Sequence, residues 1–364
     1  ETVLKDMGVT NLRILALSEG PEDQPYRVLP AAQDSAGYLN ETLLAGLDLL
    51  LDEMGKRGMT AVMVLNNFWP WSGGMAQYVS WSTQSPIPYP PPHPNGSWDL
   101  YQKYAARFYT LPDALQHSLD VTGRLLERKN GVNQKTYKED PVIMAWELAN
   151  EPRGIDHVTE MLRWIDSTAA YIKSKDPNHL VTVGAEGYTS SPEYSGTDFK
   201  KMHESRHIDY TTAHIWIQNW GWYKPEQHDS TYGQAVANMK AYLNRHAEES
   251  LEMGKPFVLE EFGIMKDSGA FDPAATTVHR DDYYSKVFEE VWQLARQGKA
   301  SGVNFWAFSG EGRPRVPGML WQKGDGLTGD PPHEPQGWYS VYDRDAHTLK
   351  VIREYAGKLN GLTK

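Results

Sequence analysis

Asp140-Pro-Val-Ile-Met-Ala-Trp-Glu-Leu-Ala-Asn-Glu-Pro152 is the stretch that decides the fold. Asp140-Pro141 is a turn pair, and Val142 to Trp146 is apolar without a break, as in a strand buried on both faces. Pro152 has no N–H for a ladder and closes the strand. The carboxyl ends of such parallel strands are where α/β barrels and open α/β sheets keep their chemistry. Glu151 is therefore a candidate catalytic acid, with Asn150 beside it to orient a substrate hydroxyl. The plain alternative is a carboxylate satisfied by backbone N–H groups. Lys255-Pro-Phe-Val-Leu-Glu-Glu-Phe-Gly263 repeats the construction: a turn signal, an apolar run, then carboxylates and a Gly. Two carboxylates from two barrel strands can share one mouth, which is the pair that glycoside hydrolysis needs.

Outward from these stretches, short apolar strands alternate with amphipathic helices. Strands are expected at 11–17 and 60–66, and near 180–185, 210–215, 257–262 and 303–308. The tail of a helix should end at Gly8. Asn40 should cap a helix whose apolar face is Leu43, Leu47, Leu50, Leu51 and Met54, and Gly58 should end it. Further helices are expected near 113–129, 156–175, 232–252, 281–298 and 346–360. Such a βα repeat makes a parallel sheet with helical crossovers. The expectation is an α/β chain, a (β/α)8 TIM barrel, as one catalytic domain over 1–364. About seven strands are visible and the chain opens in a helix, so the first barrel strand is expected upstream; a seven-stranded open sheet is the alternative. Long connections at 18–39, 67–111 and 309–345 all leave carboxyl ends of strands and should ring one mouth. The run Pro86-Ile-Pro-Tyr-Pro-Pro-Pro-His-Pro94 reads as a stiff surface loop, with an interdomain linker as the alternative.

Composition bounds the rest. Of 364 residues, 40% are hydrophobic and 23% charged, enough for a large core. The net charge of −11 with no basic patch argues against a nucleic-acid partner. No apolar run approaches the ~18 residues of a membrane span. There is no Cys, which excludes disulfides and thiolate metal sites. No His-x-His or His-Glu-x-x-His occurs, so no metal or cofactor is expected. Thirteen Trp and 20 Tyr against 9 Phe favour flat, polar-edged rings of the kind that stack on sugars.

Other candidates follow from position. Arg13 is a cation inside a strand and needs a carboxylate, either to hold Glu261 ionised or as a structural pair. His214 ends the strand Tyr210-Thr-Thr-Ala-His214 and can reach the sugar or the acid. Trp306, in Asn304-Phe-Trp-Ala-Phe308, can floor a sugar ring. Trp69, Trp71 and Trp216 are further platforms. Glu186 is another strand-end carboxylate and a candidate substrate contact, whereas Glu147 lies a layer deeper and reads as structural. Glu260 and Glu261 point opposite ways on a strand, so only one can face the mouth; the pattern does not choose between them.

Trp146-Glu-Leu-Ala-Asn-Glu-Pro152, Leu259-Glu-Glu-Phe-Gly263, Asn11-Leu-Arg13, His214 and Phe305-Trp306 together resemble glycoside hydrolase family 5, most closely its β-mannan-degrading branch. Asn66-Asn67, Gly73-Gly-Met-Ala-Gln-Tyr78 and Asn178-His-Leu-Val-Thr-Val-Gly184 extend the likeness over nearly the whole chain. The resemblance implies that Glu151 is the acid/base and Glu261 the nucleophile, with Asn150, Arg13, His214 and Trp306 in support. It implies net retention, with the carboxyl groups ~5–5.5 Å apart rather than the ~6.5–9.5 Å of inversion. One position departs: where relatives often carry His-x-Tyr, this chain has His214-Ile-Trp216, so a group other than a tyrosine hydroxyl must hold the nucleophile. That departure and the long loops favour an exo-β-mannosidase, with an endo-β-1,4-mannanase as the alternative. Another β-glycanase, a sugar-binding barrel without catalysis and a metal-dependent hydrolase are more distant rivals. A monomer, secreted or held in the cell envelope, is the expectation that goes with the resemblance.

Overall fold

The computed structural model describes residues 2–363. In its first half the chain runs α1 (Thr2–Asp6), β1 (Asn11–Leu15), β2 (Gln33–Ser35), β3 (Tyr38–Leu39), α2 (Glu41–Lys56), β4 (Thr60–Val64), α3 (Gly74–Thr83), α4 (Trp98–Ala106), α5 (Pro112–Leu126), β5 (Ile143–Glu147) and α6 (Val158–Lys175). It continues β6 (Leu180–Thr182), α7 (Pro192–Ser195), α8 (Phe199–His203), β7 (Thr211–Ile215), α9 (His228–Glu252), β8 (Phe257–Phe262), α10 (Val278–Arg296), β9 (Gly302–Val303), β10 (Phe308–Gly310), β11 (Val341–Tyr342) and α11 (Ala346–Asn360). Two compact units result, one of Thr10–Thr211 and one of Thr2–Val9 with the chain from Thr212.

The first unit is built on a parallel sheet in the order β1-β4-β5-β6. Its strands are the apolar runs expected from sequence: Ala61 to Val64 and Ile143, Ala145 and Trp146 are all buried. Asn40 caps α2 as expected, its Oδ1 accepting from Leu43 N at 3.1 Å. The buried face of α2 is Leu44, Asp48, Leu51 and Met54, not the stripe through Leu43, Leu47 and Leu50. A charge sets this phase. Arg128 forks Asp48 with Nε at 2.9 Å and Nη2 at 2.8 Å, Tyr137 donates at 2.6 Å, and Gly131 N at 3.1 Å. Burial pushes the Asp48 carboxyl up, but these donors outweigh it and hold it below the usual carboxylate range.

The connections at 18–39 and 67–111 are folded together rather than slack. The second contains α3 and α4, which the sequence reading left inside a loop. Glu19 is 1% exposed and joins the two connections: Gly74 N donates to its Oε2 at 2.8 Å and the Tyr78 hydroxyl to its Oε1 at 3.2 Å. Arg27 donates to the Glu19 carbonyl at 2.8 Å and to the Tyr89 hydroxyl at 2.6 Å, and that hydroxyl donates to Gln24 at 2.8 Å. The proline-rich run therefore carries a buried anchor, Tyr89, and packs against its own unit.

The second unit holds the parallel strands β7-β8-β9 and a separate parallel pair, β10 with β11. The strand expected near 303–308 is split into β9 and β10. Between them Asn304 N and Trp306 N still donate to Leu259 O and Phe262 O, at 2.9 and 2.8 Å, so the backbone keeps tracking β8. α10 buries Tyr283, Tyr284, Val287, Phe288, Val291 and Leu294, and the Phe288 ring stacks on Tyr355 of α11 at 5.7 Å. The connection from Gly310 to Val341 is knotted on Asp330. That carboxylate accepts from Gly337 N at 2.8 Å, from Tyr339 N at 2.7 Å and from the Ser340 hydroxyl.

Two outcomes follow for stability. Asp48→Asn takes the charge from the Arg128 fork, leaving Arg128 its bond to the exposed Glu41, and is expected to cost about 3 kcal/mol in urea denaturation at pH 7. Because the folded-state value is depressed, that contribution is present above the unfolded value of about 3.9 and is lost as pH falls through the folded one. Variant and parent should therefore converge in acid. Glu19 behaves oppositely. Burial outweighs its donors from Gly74 and Tyr78 and the charge of Arg27, and lifts its carboxyl from 4.5 to about 7. The folded state then holds a proton that the unfolded chain gives up, so stability falls as pH rises through this window. In Glu19→Gln the dependence of the melting temperature on pH between 4.5 and 7 should flatten.

Candidate active site

In the first unit the site grows from the end of β5. Arg13, on β1, reaches across the sheet face to Glu147 on β5, with Nε at 2.8 Å from Oε2 and Nη2 at 2.5 Å from Oε1. The same Nη2 donates to Asn150 Oδ1 at 2.8 Å, and Asn150 Nδ2 donates to Asn67 Oδ1 at 3.1 Å. Glu147 is thus the structural carboxylate expected, and within this unit the Arg13 fork is spent on it and on Asn150. Four residues beyond β5 the backbone turns: Glu151 has φ +51°, a left-handed conformation that costs a non-glycine residue roughly 1–2 kcal/mol. Its N–H donates to Gly184 O at 2.9 Å. Gly184, at φ +80°, has to be glycine, because a Cβ there would sit 2.0 Å from Ala149 O and 2.2 Å from Glu147 Oε1.

Glu151 is 7% exposed and accepts at Oε2 from Trp69 Nε1, 2.5 Å away. Arg153 lies over the Trp69 ring, its guanidinium carbon 4.7 Å from the centroid. Arg153 forks Glu186, with Nε at 2.5 Å from Oε1 and Nη2 at 2.9 Å from Oε2, and its Nη1 donates to Gln102 Oε1 at 2.8 Å. Burial pulls the guanidinium's pKa down, but the charge and hydrogen bonds of Glu186 and the charge of Glu151 outweigh it and raise it. Both carboxylate oxygens of Glu186, a candidate substrate contact, therefore accept from Arg153. Trp71 is 9% exposed and sits in a 3-10 turn, where its carbonyl accepts from Val28 N at 2.8 Å. Trp69, two residues earlier, touches Glu151.

In the second unit the site grows from β7 and β8. Glu260 and Glu261 are 2% and 5% exposed. Alternation along a strand suggests that they should part, yet His214 faces both. Its Nε2 is 3.4 Å from Glu260 Oε2, and its Nδ1 is 3.3 Å from Glu261 Oε2. A neutral imidazole donates from one nitrogen only, and the Glu260 contact has the hydrogen-bond geometry. Position 216 is tryptophan, and His214 is a side chain that this unit sets beside Glu261. The Trp216 ring packs on Tyr339 at 4.8 Å, and Tyr339 stacks on Trp338 at 4.9 Å and donates its hydroxyl to Asn219. Gly263 lets these rings close in: a Cβ there would lie 2.7 Å from Trp306 O and 3.0 Å from the Trp216 ring. Trp306 is half-buried, with its N–H on Phe262 O.

The chemistry on offer is two buried carboxylates at strand ends, one held by an indole N–H and one beside an imidazole, with half-buried tryptophans around them. Sequence reasoning missed Arg153 and Tyr339. Arg153 carried a signal, being a cation directly after the Asn-Glu-Pro turn; Tyr339 carried none.

A family model described as GH family 5 beta-mannosidase-like matches residues 2–364. A glycoside hydrolase family 5 mannosidase from Rhizomucor miehei has a similar structure, with TM-score 0.89, 40% identity, and coverage of 99% of this chain and 86% of that one. An endo-beta-1,4-mannanase from Thermotoga petrophila gives TM-score 0.73 at 26% identity, covering 99% of this chain and 72% of that one. Among curated proteins, a putative mannan endo-1,4-beta-mannosidase 9 from Oryza sativa subsp. japonica is 30% identical over 97% of this chain and 78% of its own length. The chain therefore belongs to glycoside hydrolase family 5, in its β-mannosidase-like group, and is a glycoside hydrolase with the α/β, (β/α)8 barrel fold of that family.

Proposed function

We propose that the protein is a retaining exo-β-mannosidase that releases mannose from the ends of β-1,4-linked manno-oligosaccharides and mannan. It would act as a monomer, one catalytic domain in the secreted space or the cell envelope. Glu261 attacks the anomeric carbon as a carboxylate while Glu151 gives its proton to the departing glycosidic oxygen, so one C–O bond forms as the other breaks. Water then attacks the glycosyl-enzyme, gives a proton back to Glu151 and frees Glu261. Asn150, held by Arg13 and Asn67, is placed to bond a sugar hydroxyl. Trp306 and Trp216 offer apolar faces to the ring.

The observation that supports exo action is that the long connections 18–39 and 67–111 are folded onto each other. Their buried Glu19, Arg27 and Tyr89 network fixes these segments in place, and a cleft closed at one end would need such fixed segments. The β-mannosidase-like family model and the 40%-identical mannosidase support the same choice. A complex of that mannosidase's mutant with mannosyl-fructose shows that a relative takes a mannosyl sugar of two units. The endo reading is supported by the names of the plant relatives and by the likeness to the Thermotoga petrophila endo-mannanase.

A time course on reduced manno-oligosaccharides tests the choice: mannose alone from the first minutes is expected, whereas mixed oligosaccharides would establish an endo-mannanase. Glu151→Ala should lower mannobiose turnover about 10²–10⁴-fold, and Glu261→Ala should abolish it, both with folding intact by circular dichroism. Loss of folding in either would mean a structural role. Turnover should survive a strong chelator.

A further inference from the structure

We propose that Trp69 is a positioning residue for proton transfer, and that the Glu186–Arg153 pair is its clamp. This rests on the reading of Glu151 as the acid/base. An indole N–H donates and cannot accept. Its 2.5 Å bond to Glu151 Oε2 therefore fixes which oxygen is the acceptor, and with it the plane of the carboxyl group. The backbone adds a second constraint, since Glu151 leaves the chain from a left-handed turn pinned to Gly184. An acid that must present a proton to one oxygen atom needs such orientation.

Trp69 is itself held on several sides. Its backbone N–H donates to Asn67 Oδ1 at 3.0 Å, the same atom that receives Asn150 Nδ2. Phe68 and Trp98 meet its ring edge-on, at 5.3 and 5.7 Å. Arg153 covers it from 4.7 Å, and Arg153 cannot swing away while Glu186 and Gln102 hold three of its nitrogens. Glu186 is 2% exposed, so its fork to Arg153 is shielded from salt. A carboxylate beyond β6, the next strand after β5, thus acts on Glu151 through a cation and a ring.

Leaving-group dependence separates this role from simple packing. Trp69→Phe keeps the ring and removes the donor. On mannobiose, whose leaving oxygen needs a proton, kcat/KM should fall about tenfold or more. On 2,4-dinitrophenyl β-mannoside, whose leaving group needs none, kcat/KM should stay within about twofold. Glu186→Gln, which leaves the tryptophan in place, should show the same selectivity at roughly threefold, with an unchanged circular dichroism spectrum confirming the fold. Equal losses on both substrates, or no loss on mannobiose, would overturn the proposal. Glu151→Ala serves as the reference. If it too lost activity equally on both substrates, the acid/base reading itself would fail, a result distinct from failure of the Trp69 variant alone.

Discussion

The buried fork between Arg13 and Glu147 is the constraint on which the first unit depends. It joins β1 to β5 past the intervening β4, at 2.5 and 2.8 Å. Burying two charges is expensive, and a pair of this kind adds little over an apolar pair of equal volume, whereas removing one partner leaves a stranded charge. What the pair supplies is register. Arg13 has one Nη2 for both Glu147 and Asn150, so the strand end is fixed relative to β1, and Asn150 hands the constraint on to Asn67. Glu151 comes next in the chain, already turned into the left-handed region. The carboxylate at the mouth is placed by a carboxylate beneath it.

The second unit sets an imidazole at the corresponding strand end. Glu261 has an imidazole beside it, and that imidazole is shared with Glu260. A tyrosine hydroxyl two residues after His214 is absent. Tryptophan fills the space instead and packs on Tyr339, whose own hydroxyl is turned to Asn219. The aromatic volume is kept while the hydrogen bond is moved elsewhere. This unit also ties its longest connection to one buried anion, Asp330, whose acceptors gather backbone and hydroxyl donors from Gly337 to Ser340.

Much of this was legible beforehand. Strands such as Ile143–Glu147 and Phe257–Phe262 announce themselves because burial on both faces demands unbroken apolar runs. The cap at Asn40 is chemistry local to four residues and was equally plain. What failed was set by distant partners. The face of α2 is phased by Asp48, whose fork comes from Arg128 far along the chain, so the apolar stripe alone put the helix slightly out of rotation. α3 was hidden because its residues are buried on nearly every side and so lack a period. The pairing of Glu186 with Arg153 is likewise not written in either neighbourhood.

The network around Glu19 bears on affinity. Its carboxylate and phenol groups are held by its own residues, from Gly74 and Tyr78 to Arg27 and Tyr89. A ligand that settles against it has no loop to order. Binding normally loses part of its gross energy to freezing side chains and segments, about 0.5–1.5 kcal/mol for each mobile side chain. Where that loss is already met during folding, more of the gross contact energy is left for affinity.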